Sequence, residues 1–202
     1  MKENQENEKS GFVVAYDLPS ENRIDFSAKG IDKEVKDKVR SVRISATIKL
    51  HKLGVLSTES VILVPSSNEK YIQTTINEIN KMYSDLDNWL RQKGLIGIEQ
   101  PLIKVIELTK KQVTDYKELA QRKLKQRLDE AIDRLAKLLN EIDQITDSEK
   151  RKRLRYNLNK QKKEMERIEQ ISKELGINLE GEFGLFYNLL NNAINELKGG
   201  EI

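Results

Sequence analysis

The sequence predicts a mixed α+β protein, a compact sandwich followed by a long helical arm. Three observations lead there. A fully apolar run at residues 12–16 ends abruptly in Asp17 and Pro19, as a buried strand does at a sheet edge. Two helical stripes and two short β runs follow it before residue 108. From Tyr116 onward, apolar residues recur at steps of three and four as far as Leu175.

The elements follow in chain order. Residues 1–10 hold almost nothing apolar and read as a disordered tail. After the first strand, residues 21–31 read as a loop with Gly30 as its breaker. A helix is expected over 32–53, with Val35, Val39, Val42, Ala46, Leu50 and Leu53 on one face. Asp32 is its expected cap and Gly54 its left-handed terminator. Its β-branched residues Val39, Val42, Ile44, Thr47 and Ile48 would also suit a strand. Residues 55–56 and 61–64 flank polar Ser57 to Ser60 and read as a tight hairpin or one bent strand, ended by Pro65.

Ser67 or Asn68 should cap a second helix reaching Lys93, striped by Ile72, Ile76, Ile79, Leu86 and Leu90, and closed by Gly94. Residues 102–106 form a further strand. Burying both helix stripes on one face of a mixed sheet gives a ferredoxin-like sandwich. In the arm, Thr146-Asp147-Ser148-Glu149 matches a capping box with Thr146 as the cap. Two long helices joined by so short a turn should fold back as an antiparallel α-helical hairpin. A C-terminal helix carries Phe183, Phe186, Leu189, Leu190, Ile194 and Leu197. The expected partition is tail 1–10, sandwich 11–108, hairpin 109–176 and C-terminal helix 177–202.

Composition excludes several chemistries. There is no cysteine, which removes disulfides, thiol catalysis and Cys-ligated zinc. The one histidine, His51, cannot build a histidine-rich metal site within one chain. No apolar run approaches a membrane span and the first ten residues are polar, so a cytoplasmic protein without membrane attachment is expected. With 36 basic and 33 acidic residues, the net charge of +3 argues for nucleic acid only through local clustering. No phosphate-binding glycine loop and no nucleophile motif are present.

Three stretches carry a resemblance: Val14-Ala15-Tyr16-Asp17-Leu18-Pro19-Ser20-Glu21-Asn22-Arg23, Ile48-Lys49-Leu50-His51-Lys52-Leu53-Gly54 and Ser60-Val61-Ile62-Leu63-Val64-Pro65. Together they resemble the Cas2-like ferredoxin-fold group: Cas2 proteins, the C-terminal part of PaaX-type regulators and the N-terminal part of chromate-resistance regulators. The resemblance covers residues 12–108, with a weaker echo through 175. The chain departs from the group by inserting residues 24–37 and by lacking the paired arginines that usually follow the first strand in Cas2. The resemblance implies a sheet-mediated homodimer in which Asp17 of two copies shares one Mg²⁺, the only cofactor any reading invokes. The alternative for Asp17 is a turn residue that binds nearby backbone amides before Pro19.

Two basic groups are candidates for a phosphate-backbone track. Arg40, Arg43, Lys49 and Lys52 sit on or near the first helix, with Arg23 before it. Lys150, Arg151, Lys152, Arg153, Arg155, Lys160, Lys162 and Lys163 put eight bases into residues 150–163, more than solubility needs. The alternative for both is a solvated helix face, partly paired with acids of a facing helix. Tyr156 is the single aromatic beside the second group, too few to indicate base stacking. The expected function is a non-enzymatic nucleic-acid-binding protein, with DNA favoured. A metal-dependent nuclease built on Asp17 and a hairpin that docks a protein partner through its heptads are the alternatives.

Overall fold

The computed structural model describes residues 9–20 and 33–199. The expected loop at 21–31, the Asp32 cap, Arg23 and most of the expected tail lie outside them. The chain divides into two compact units, Met1–Tyr116 and Lys117–Ile202.

The first unit runs β1 (Lys9–Asp17), α1 (Lys33–His51), β2 (Val55–Thr58), β3 (Val61–Pro65), α2 (Glu69–Gln92) and β4 (Leu102–Thr109). The four strands form one sheet in the order β2-β3-β1-β4, and every neighbouring pair is antiparallel. Val14 sits opposite Ile62 on one side and Val105 on the other, so β1 is central. It starts at Lys9, inside the expected tail, because Lys9 pairs with Thr109 across an irregularity in the ladder. The same pairing extends β4 beyond Ile106 to Thr109.

The β-branched residues do not turn α1 into a strand. Val35, Val39, Ala46 and Leu50 fall on one stripe and are fully or almost fully buried among Phe12, Val14, Ile62, Ile72, Ile79 and Tyr83. Burying a Val, Leu or Ile yields about 1.5–3 kcal/mol, which outweighs the few tenths of a kcal/mol of lost helix propensity per β-branched residue. The helix ends at His51, and Leu53 N–H closes the turn on Leu50 O at 2.9 Å. Gly54 is needed for closeness, not handedness. A Cβ there would lie 2.0 Å from the Leu63 carbonyl oxygen, while φ > 0 occurs among the described residues only at Gly94 (73°) and Gly176 (66°). The β2–β3 hairpin turns through Glu59 and Ser60.

Residues Ser66–Asn68 make a single 3₁₀ turn before α2, and the expected cap Asn68 makes no side-chain bond to the helix start. The Asn68 amide is turned elsewhere and donates to Leu53 O at 2.8 Å, tying this turn to the end of α1. Tyr83 is fully buried in α2, and its hydroxyl donates to Pro19 O at 3.1 Å. Burial pushes this phenol up to about 12, with Arg43 pulling it down and Asp17 pushing it up by their charges. After Gly94, Asp87 pins the chain by accepting Ile98 N–H at 2.8 Å.

The second unit takes in α3 (Lys110–Glu141) from Lys117 onward, α4 (Ser148–Glu174) and α5 (Glu180–Gly199). Ala120, Leu124, Leu128, Ala131 and Leu135 form the buried stripe of α3. Leu158, Met165, Ile168 and Ile171 do so for α4, and Phe183, Phe186, Leu190 and Ala193 for α5. After the 3₁₀ turn Ile142–Gln144, the cap of α4 is Asp147, one residue beyond the expected Thr146. Its carboxylate accepts Glu149 N–H at 2.9 Å and Lys150 N–H at 3.1 Å. A carboxylate satisfies two orphan donors and meets the positive helix end, which a threonine hydroxyl does less well. Among the described residues no helix is long and apolar enough to cross a membrane.

Candidate nucleic-acid interface

The dense basic run separates into two sets once α4 is wound. Lys150, Arg153, Lys160 and Lys163 follow one another at steps of three, seven and three, which is one helix face. All four are exposed and none makes an ion pair among the described residues; Arg153, Lys160 and Lys163 lie away from Leu158 and Met165, while Lys150, in the first turn, lies at the border of the face. At 1.5 Å per residue the face spans about 20 Å, roughly six base-pair steps of duplex. Tyr156 stands in the middle of it, 71% exposed. Glu149 and Glu164 border it.

Two other bases of the run, Arg151 and Lys162, bond groups outside α4. The Arg151 guanidinium donates to Ile145 O at 2.9 Å, Ile142 O at 3.4 Å and Glu196 O at 2.7 Å. It therefore collects carbonyls at the ends of α3 and α5, where a cation is favoured. Lys162 donates to Asn191 Oδ1 at 3.1 Å, joining α4 to α5. Lys152 lies 3.8 Å from Glu149. Arg155 is half-buried. Arg151 is thus engaged by backbone carbonyls, whereas Lys162 uses one of its three N–H donors on Asn191.

In the first unit, three residues predicted from two separate arguments come together. Asp17 at the end of β1 and Arg40 and Arg43 on α1 line one cleft of about 730 Å³. Tyr16, Thr47, His51, Glu59 and Ser60 complete its polar wall. Arg40, Arg43, Thr47 and His51 follow at steps of three, four and four, a stripe about a quarter turn round α1 from the apolar one. Lys49 is not part of it and forms an ion pair with Glu78 of α2. Lys52 is exposed beyond the helix end.

The single histidine has a defined role in this wall. The Tyr16 hydroxyl lies 2.9 Å from His51 Nε2 and donates to Glu59 O at 3.1 Å. A carbonyl can only accept, so the one phenolic proton goes to Glu59. His51 Nε2 must then carry a hydrogen and donate to the phenol oxygen. Among the described residues no three His, Cys, Asp or Glu side chains gather as a metal-binding set.

Sequence reasoning missed Tyr16, Thr47, Glu59 and Ser60. The spacing 40, 43, 47, 51 was the available signal for one side of the cleft. The other side joins residues remote in sequence and carries no local pattern. No family model matches the chain, and no curated protein or solved structure matches it either.

Proposed function

We propose that the protein is a non-enzymatic nucleic-acid-binding factor that holds duplex DNA phosphates on the outward face of α4. The observation that carries this is the row Lys150, Arg153, Lys160 and Lys163, exposed and without acidic partners among the described residues. A solvated helix kept soluble by charge mixes signs along its surface, whereas this row is of one sign over about 20 Å. The test is fluorescence anisotropy of a labelled duplex titrated with the protein as salt is raised. Binding that weakens with salt supports the reading, and absence of binding at low salt removes it.

The reading extends to the assembly. The strand order and the intervening helices fit a ferredoxin-like sandwich, and the short 142–147 turn between α3 and α4 fits an antiparallel hairpin, as the Cas2-like resemblance implies. Tyr16 N–H bonds Ser60 O, so the backbone groups of Tyr16 face β3 and those of Ala15 face β4. By alternation Ile103 and Val105 direct their N–H and C=O groups to the edge of β4 that no described strand covers. A second copy running antiparallel, with Val105 opposite Val105, would pair the two Val105 backbones through two bonds about one two-fold axis. Leu102, Val105 and Ile106 are exposed on this strand, which a lone edge strand ordinarily avoids.

A further inference from the structure

We propose that the cleft between the end of β1, α1 and the β2–β3 turn binds a nucleoside monophosphate group, either free or at the end of a strand. It goes beyond duplex binding by α4 and stands on the first unit alone. At about 730 Å³ the cleft has the size of a small-ligand site. Its lining is divided in kind, which argues for a ligand divided in the same way. Arg40 and Arg43 are neighbours on one helix face, about 5–6 Å apart at their Cβ atoms, a spacing that lets two guanidinium forks grip one phosphate. Neither makes an ion pair among the described residues, although Asp17 and Glu59 line the same cleft.

The carboxylates of Asp17 and Glu59 only accept hydrogen bonds, so they suit sugar hydroxyls or the amino group of a base. They would repel a bare phosphate, which sets the nucleotide apart from the inorganic ion. Ile44, half exposed, and the ring of Tyr16 offer apolar surface for a base. Thr47, Ser60 and the imidazole of His51 add further polar groups to the lining.

His51 is the single histidine of the chain, so its ring signals report on the cleft without ambiguity. The experiment is an NMR titration of those signals with adenosine 5′-monophosphate, inorganic phosphate, and a trinucleotide with and without a 5′-phosphate. The expected result is a saturable shift with the mononucleotide. Affinity should fall about tenfold or more in Arg40→Gln and in Arg43→Gln and stay unchanged in Arg153→Gln. Inorganic phosphate should bind more weakly. A 5′-phosphorylated strand tighter than the mononucleotide identifies strand ends as the source, and the reverse order identifies free nucleotide. The proposal is overturned by no shift at millimolar mononucleotide, by equal binding of inorganic phosphate, or by arginine variants that bind as the parent does. Duplex binding by α4 is read separately through Arg153→Gln, so either idea can fail without the other.

Discussion

The hydroxyl of Tyr16 stands 2.9 Å from Nε2 of His51, joining the end of β1 to the last turn of α1. Because the same hydroxyl donates to Glu59 O, the pair fixes the imidazole as the Nε2–H form. Nitrogen chemical shifts of the neutral ring should therefore show Nε2 protonated and Nδ1 not. In Tyr16→Phe the preference should relax and the fold should lose about 0.5–1.5 kcal/mol by urea unfolding. A parent ring protonated on Nδ1 would contradict the assignment.

Arg151 and Arg153 are two residues apart in one basic run and should behave as opposites. Arg151→Ala removes three donated bonds to carbonyls and should cost about 2–3 kcal/mol of stability in the second unit. Arg153→Ala is exposed and should stay within about 0.5 kcal/mol of the parent while weakening duplex binding. Chemical denaturation and anisotropy on both variants decide the matter. Equal stability losses would show that α4 is not sorted into structural and outward bases.

The start of α4 distinguishes its two adjacent cap candidates. Asp147→Ala should cost about 1 kcal/mol, since two amide bonds go with the carboxylate. Thr146→Ala should be close to neutral. The reverse order would restore Thr146 as the cap.

Tyr83 gives a signed dependence on alkaline pH. Its folded value is raised to about 12 by burial, above the ordinary value near 10. The neutral phenol thus contributes stability that is complete below pH 10 and is lost as pH rises through 12. At pH 7, Tyr83→Phe should be less stable by roughly 1 kcal/mol for the lost bond to Pro19. That gap should shrink between pH 10 and 12, because only the parent pays for keeping its phenol neutral. A gap that is constant with pH would mean that Tyr83 does not titrate differently on folding.

The open edge of β4 carries the assembly claim. Val105→Lys places a charge at the centre of the proposed seam, where two copies would face each other. Light scattering should find a dimer for the parent and a monomer for the variant, with unchanged helix content by circular dichroism. A parent that is monomeric at high concentration would remove the seam.

Local pattern was enough for the elements whose burial is periodic. The α1 stripe at Val35, Val39, Ala46 and Leu50 and the apolar core of β1 are legible because one face of each is dry. Ends were legible only where backbone demanded a residue type, as at Gly94 and Gly176 with their positive φ. At Gly54 the reason was a distant strand, Leu63, so a local reading chose handedness where closeness was at stake. At α4 the composition showed a basic cluster, but only the winding of the helix and the carbonyls around Arg151 show which bases are already engaged. The cleft was the least legible. Asp17, Arg43 and Glu59 meet because β1, α1 and the β2–β3 turn converge, and nothing local to any one of them signals the others.

The most direct measurement is the slope of log affinity against log salt for a labelled duplex, compared between the parent and Arg153→Gln/Lys160→Gln. Four cations on the α4 face predict a parent slope of about −3 to −4, and loss of two of them should reduce it by about 2 while stability stays the same. A slope that is unchanged in the double variant would contradict the assignment of the nucleic-acid interface to this face.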